Sequence, residues 1–174
     1  MSETPVKLPY RKSVGIMLVN STGDVWVGRR VPKWRSKFIW QMPQGGIMEG
    51  EKPRQAALRE LEEEIGTRNV KILGKSSRWL KYDLPNRLLG VALGGKYRGH
   101  KYKWFVMQLC GTDDEINIAR KQGLKAEFDD WRWVDIHEIE NLGVSFKEQL
   151  YQRVVKELGP HISGLGHTPP RKCA

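Results

Sequence analysis

The 174-residue chain is poor in cysteine and has no long apolar run. Its two cysteines, Cys110 and Cys173, are too few for a disulfide scaffold. Neither stands at metal-ligand spacing from the other or from a histidine, so a reducing cytoplasm is the expected setting. No stretch approaches the ~18 apolar residues of a spanning helix, and the longest candidate, residues 14–19, is strand-sized. Residues 1–9 lack the apolar segment of a secretory signal, so no membrane is expected as a partner. The four histidines, His100, His137, His161 and His167, show no ligand spacing and read as surface residues. Acids are in deficit, with 20 Asp and Glu against 30 Lys and Arg, a net charge of +10. A surplus of that sign attracts polyanions, nucleotides and nucleic acid among them. With 39% hydrophobic residues the composition also excludes a disordered or collagen-like chain.

What is present reads as one domain over residues 10–158, with a flexible N-terminus at 1–9 and a flexible tail at 159–174. Apolar runs at 13–20 and 24–30 flank Ser21-Thr22-Gly23, a hairpin signal. Residues 31–44 read as loop, and a helix runs from Pro53 to Ile65, where Gly66 supplies a stop. Residues 70–82, 102–110 and 131–134 read as strands, with loop, or loop holding one short strand, between Pro85 and Lys101. Ser145 and Glu148 fit a capping box opening a last helix, whose Phe146, Leu150, Val154 and Leu158 share a core-facing stripe. The sum is an α/β chain with a mixed sheet and helices packed on it.

The first helix carries an unusual pattern. At about 100° per residue, Glu60, Glu63 and Glu64 fall within roughly a 100° arc, while Ala57, Leu58, Leu61 and Ile65 form a separate apolar face. Like charges three and four residues apart destabilise a helix, and nothing in folding requires them on one side. A hard divalent cation with oxygen ligands reverses that penalty, and Mg²⁺ suits such a site. Arg59, one turn from Glu63, can hold that carboxylate, and Glu51 is a second possible partner for it.

Gly45, five residues, Glu51, seven residues, then Arg59-Glu60-Leu61-x-Glu63-Glu64-x-Gly66 resembles the Nudix box of the Nudix hydrolases at every polar and glycine position. Thr67 departs from it, because the family carries a bulky aliphatic there. The likeness spreads from about Tyr10 to Leu158. The stretches 26–30, 40–46, 79–82, 103–105, 127–134 and 144–147 look like the bacterial RNA pyrophosphohydrolase / dinucleoside polyphosphate hydrolase branch. The resemblance implies an α/β/α sandwich with a central mixed β-sheet.

It also implies a chemistry: water attacks a diphosphate linkage while a divalent metal, Mg²⁺ or Mn²⁺, neutralises the phosphate charge. The family pattern makes Glu60 and Glu64 metal ligands and Glu63 a further ligand or the base, with Arg59 in the catalytic set. Glu127 resembles the distant glutamate that completes the metal site, and Gly45 lends backbone close to metal or phosphate. Arg11, Arg30 and Lys147 match phosphate- or nucleotide-contacting cations. Phe146 matches a base-stacking ring, and Tyr82 sits in a strand that could line the same groove. Two further runs, 29–38 and 96–104, interleave cations with aromatics, a mixture that suits single-stranded nucleic acid. The implied substrates are triphosphorylated RNA 5′ ends, diadenosine polyphosphates, or both. An inactive RNA-binding scaffold is the third reading, and the intact acids argue against it. The sequence leaves the base, the metal and the oligomeric state open, with a monomer favoured.

Overall fold

A computed structural model describes residues 7–31, 39–119, 125–142 and 145–166, the last stretch by backbone alone at 145 and 146. Among the described residues eight strands form one sheet: β1 (Tyr10–Val19), β2 (Val25–Arg30), β3 (Ile39–Gln41), β4 (Gln44–Gly46), β5 (Val70–Lys75), β6 (Leu80–Asp83), β7 (Gly99–Leu109) and β8 (Phe128–Val134). Two long helices flank it, α1 (Pro53–Ile65) and α2 (Ser145–Leu158). The central path runs β3-β2-β1-β7-β5, with β4 paired to β1, β6 to β7 and β8 to β2. β1 and β7 run parallel over ten unbroken pairings from Tyr10↔Gly99 to Val19↔Gln108, and the remaining pairs are antiparallel. The sheet is therefore mixed, and the architecture is the expected α/β/α sandwich.

β1 explains the layering. Its residues from Ser13 onward are buried on both faces, as expected of a central strand covered on both sides. Val14, Ile16 and Leu18 pack with Ala56, Ala57, Leu61 and Ile65 of α1. Met17 and Val19 face the other way, into the core that Leu150, Tyr151, Val154 and Leu158 of α2 complete. α1 starts on a proline and ends at Gly66, whose φ of 86° closes the helix as the sequence predicts. No helix among the described residues is long and apolar enough to cross a membrane.

Four local expectations change. The span 31–44, read as loop, holds β3 and the start of β4, because Ile39–Gln41 pairs with β2 and Gln44 with β1. Residues 70–82 form two strands, because Ser76 leaves the ladder. Its backbone N–H donates to the Trp104 carbonyl at 2.8 Å, and its hydroxyl accepts the Trp104 N–H at 3.1 Å. The span between Pro85 and Lys101 holds two short 3₁₀ turns, and β7 begins within it at Gly99. Beyond residue 158 the chain makes a further turn at Gly159–His161, and Ile162 is buried in the α2-side core. Packed structure thus runs past the boundary read from sequence.

Candidate active site

Three elements converge at the edge of β4. Pairing to β1 fixes Gln44, Gly45 and Gly46 opposite Gly15, Val14 and Ser13. The buried face of α1 brings Glu60 and Glu64 against that edge, 8% and 4% exposed. The Gln44 N–H donates to Glu64 Oε2 at 3.2 Å. Glu60 lies on the bare Cα of Gly45, where an added Cβ would stand 1.9 Å from its carboxyl carbon. No other residue allows that approach. Glycine at 45 is therefore a condition for where the Glu60 carboxylate sits.

Arg59 ties these parts together. Nε and Nη2 reach the two oxygens of Glu51 at 2.8 and 2.9 Å. Nη2 also donates to the Gly46 carbonyl at 2.9 Å, and Nη1 to Glu60 Oε1 at 2.8 Å. Both oxygens of Glu63 stand farther off, at 3.5 Å. Sequence reasoning ranks the Arg59 partners in the other order, with Glu63 first. The fork-shaped pairing with Glu51 wins because two parallel charge-assisted bonds outweigh one loose contact. Those bonds hold the Glu51 carboxyl below its usual range and push the Arg59 guanidinium up.

The three acids of the helical arc are not equivalent. Glu60 and Glu64 are buried, while the Glu63 side chain is 44% exposed at the rim. Among the described residues no three acidic, His or Cys side chains already converge as a ligand set. Arg59 places a positive charge beside Glu51 and Glu60. The donor set still fits a hard divalent cation. Two buried carboxylates and a backbone that approaches through a glycine offer oxygen ligands in a place costly for unbalanced negative charge.

Beside this edge opens a cavity of about 350 Å³ whose wall includes Arg11, Arg30, Gly45, Tyr82, Glu127 and Lys147. The structure thus gathers six residues that the sequence singled out from distant positions. Arg11 lies over Gly46, where an added Cβ would meet its Nη2 at 2.6 Å. Arg30 Nη2 pairs with Glu127 Oε1 at 3.0 Å. Lys147 Nζ stands 5.4 Å from the centre of the Tyr82 ring. Burial, with Arg30 nearby, pulls the Lys147 ammonium down to about 8. The Phe146 side chain and residues 32–38 lie outside the described residues.

One wall of the cavity escaped sequence reasoning. His100 is not a surface residue. Its ring packs against those of Tyr82 (5.6 Å) and Tyr102 (5.3 Å), which lie 6.2 Å from each other, and its Nδ1 lies 2.8 Å from the Ser13 hydroxyl. Burial, then the charges of Lys147 and Arg11, pulls its pKa down to about 4, so the ring is neutral near pH 7. Burial pushes the Tyr82 hydroxyl up to about 12. The signal was the two-residue alternation of β7, which turns His100, Tyr102 and Trp104 to one side. Leu84, Leu88 and Leu93 complete an apolar wall.

A family model described as NUDIX domain matches residues 9–154. A protein named RNA pyrophosphohydrolase from Rhodospirillum rubrum is 51% identical over 151 residues, covering 87% of this chain and 88% of that protein. Another of that name, from Bartonella clarridgeiae, is 49% identical over 156 residues, covering 86% and 90%. Among solved structures, the E. coli dihydroneopterin triphosphate pyrophosphohydrolase superposes with a TM-score of 0.59 at 20% identity, covering 85% of this chain and 98% of that one. A C. elegans Ap4A hydrolase binary complex gives 0.59 at 18% identity, covering 86% and 98%. At such identities these two show the shared fold alone.

Proposed function

The chain belongs to the Nudix hydrolases, and from that premise we propose that it is a metal-dependent pyrophosphohydrolase that removes pyrophosphate from triphosphorylated RNA 5′ ends. The observation that carries this reading is the joining of two chemistries in one opening. The acids of α1 and the glycine edge of β4 lie beside a cavity whose wall presents Arg11, Arg30 and Lys147. The near relatives named for RNA pyrophosphohydrolysis support it.

In the proposed reaction the three cations grip the phosphates and orient the chain of anhydride bonds. Glu60 and Glu64, with the Gly45 backbone and Glu127 as further ligands, would hold Mg²⁺ or Mn²⁺. When bound, the metal neutralises phosphate charge and makes a water more acidic. Glu63 is exposed and only loosely tied to Arg59, so it can swing to accept the water's proton, while the buried pair cannot. The water oxygen bonds to phosphorus, the anhydride bridge breaks, and pyrophosphate leaves with the bridging electron pair. The 5′ end keeps a monophosphate. A monomer as the acting unit and the cytoplasm as its setting complete the proposal.

A second reading keeps the same site and exchanges the substrate for a diadenosine polyphosphate. The stacked rings of Tyr82, His100 and Tyr102 favour it, since an aromatic wall beside a phosphate grip suits a nucleoside at either end of a phosphate chain. The two are separated by kcat/KM measured in parallel on triphosphate-ended RNA and on diadenosine tetraphosphate. A higher value for RNA supports the first reading; a value confined to the dinucleotide replaces it with the second.

A further inference from the structure

The alternation that sends His100 and Tyr102 into the cavity sends Lys101 and Lys103 to the opposite face of the sheet. There Lys101 of β7 stands directly between Lys12 of β1 and Lys81 of β6, its partners in register on either side. Three adjacent strands thus place three lysines in a row. Like charges directly opposite one another destabilise a sheet, so folding alone gives no reason for the row. None of the three, nor Lys75 or Lys103, stands in an ion pair among the described residues. Asp83 lies on the same face of β6, but it is already held by the Tyr10 hydroxyl at 2.9 Å and Arg98 Nε at 2.6 Å.

The row leads into a groove of about 480 Å³ between the start of α1 and strands β5 and β7. Among the described residues its walls carry Lys52, Arg54, Lys75 and Lys103, and no acid. Trp79 lies in it 38% exposed, with Lys101 Nζ 5.7 Å from its ring. Lys103 Nζ donates to the Ser77 carbonyl at 3.1 Å and Lys81 Nζ stands 5.2 Å from the centre of the Tyr10 ring, but among the described residues neither is matched by a carboxylate ion pair. A line of such cations beside an exposed aromatic face is the combination that tracks a phosphate backbone and stacks a base. The row also starts one residue from Arg11, which lines the cavity from the other face of β1.

We propose that this row and groove form a second binding surface, one that holds the single-stranded body of an RNA whose 5′ end occupies the cavity. The proposal rests on the RNA reading of the active site. It assigns the net charge of +10 a docking surface distinct from the phosphate grip.

The test compares the intact protein with the triple variant K75Q/K101Q/K103Q, the single variant Trp79→Ala and the restoring variant K75R/K101R/K103R. The binding probe is a labelled single-stranded RNA with a 5′-hydroxyl, which offers the cavity no triphosphate. Turnover is measured on a triphosphorylated dinucleotide and on a longer triphosphorylated RNA. The expected result is roughly tenfold weaker binding of the 5′-hydroxyl RNA by the triple variant, with a log–log salt slope shallower by about 2. KM rises for the long RNA alone, the arginine variant restores both, and Trp79→Ala weakens binding without changing the slope. Equal binding by wild type and triple variant overturns the proposal. So does a fall in dinucleotide turnover equal to that on long RNA, and so does a preference of the surface for polyglutamate over RNA, which would mark it for an acidic protein. If the lysines bind the 5′-hydroxyl RNA while triphosphorylated RNA stays uncut, the active-site reading fails and the groove stands.

Discussion

Arg59 and Glu51 meet in a two-pronged ion pair, Nε to Oε1 at 2.8 Å and Nη2 to Oε2 at 2.9 Å, across the loop that leads into α1. The pair fixes the guanidinium so that its remaining N–H groups reach Glu60 and the Gly46 carbonyl. Arg59→Lys keeps the charge and loses the fork. It is expected to cut kcat roughly tenfold or more and to cost about 1–3 kcal/mol of stability, because Glu51 is left with an unmatched oxygen. Thermal unfolding and steady-state kinetics on the same preparation check both effects. Full activity in Arg59→Lys would show that Glu60 needs no such support.

Glu60→Gln and Glu64→Gln each remove the charge of a buried carboxylate proposed as a metal ligand while preserving shape. Turnover is expected to fall by about a hundredfold or more in each, with the fold retained. A chelator should abolish activity in the wild type, and Mg²⁺ or Mn²⁺ should restore it. Glu63→Gln should leave metal affinity nearer normal than the other two while still lowering kcat, if it takes the proton. Near-normal turnover in all three variants removes the acids from the chemistry.

Gly45→Ala tests the cradle with a single methyl group. The new Cβ would stand 1.9 Å from the Glu60 carboxyl carbon, far inside any non-bonded contact, so either the side chain or β4 must move. Pairing to β1 resists the second option, and loss of activity with little loss of secondary structure is expected. Circular dichroism and kcat measured together decide it. An active Gly45→Ala enzyme would show that the Glu60 carboxylate can sit elsewhere at no cost.

Lys147 gives a pH signature. Its ammonium, pulled down to about 8, is charged below that pH and neutral above it, and a neutral amine grips phosphate poorly. KM for a polyphosphate substrate should therefore rise as pH passes from 7 to 9. Lys147→Arg should flatten that rise, since a guanidinium stays charged throughout. His100, held near 4, should add no inflection between pH 6 and 7. A rise that persists in Lys147→Arg assigns the titration to another group.

The parts of the fold legible in the sequence are those set by local chemistry. Pro53 and Gly66 bracket α1, and Ser21-Thr22-Gly23 marks the first hairpin, because turn and cap preferences act within a few residues. The common arc of Glu60, Glu63 and Glu64 on α1 was readable too, since helical periodicity is also local. Long-range pairing was not. The parallel register of β1 against β7 joins residues about ninety apart in sequence, and it is what buries His100 beside Ser13. Ser76 breaks residues 70–82 into two strands only because Trp104 lies next to it. Thr67 illustrates a third case. The family's aliphatic is replaced by a buried hydroxyl that donates to Glu115 at 3.1 Å and accepts the Asn69 N–H at 3.0 Å, a local exchange invisible without Glu115 in place.

β1 serves two surfaces at once, with Arg11 turned toward the cavity and Lys12 toward the lysine row. Its ten consecutive pairings with β7 leave no bulge to absorb an error. Inserting or deleting one residue near its start would invert that whole end of the strand, sending each side chain to the face its neighbour now occupies. The spacing between Tyr10 and Val14 is therefore as strict a requirement as the identity of any acid on α1.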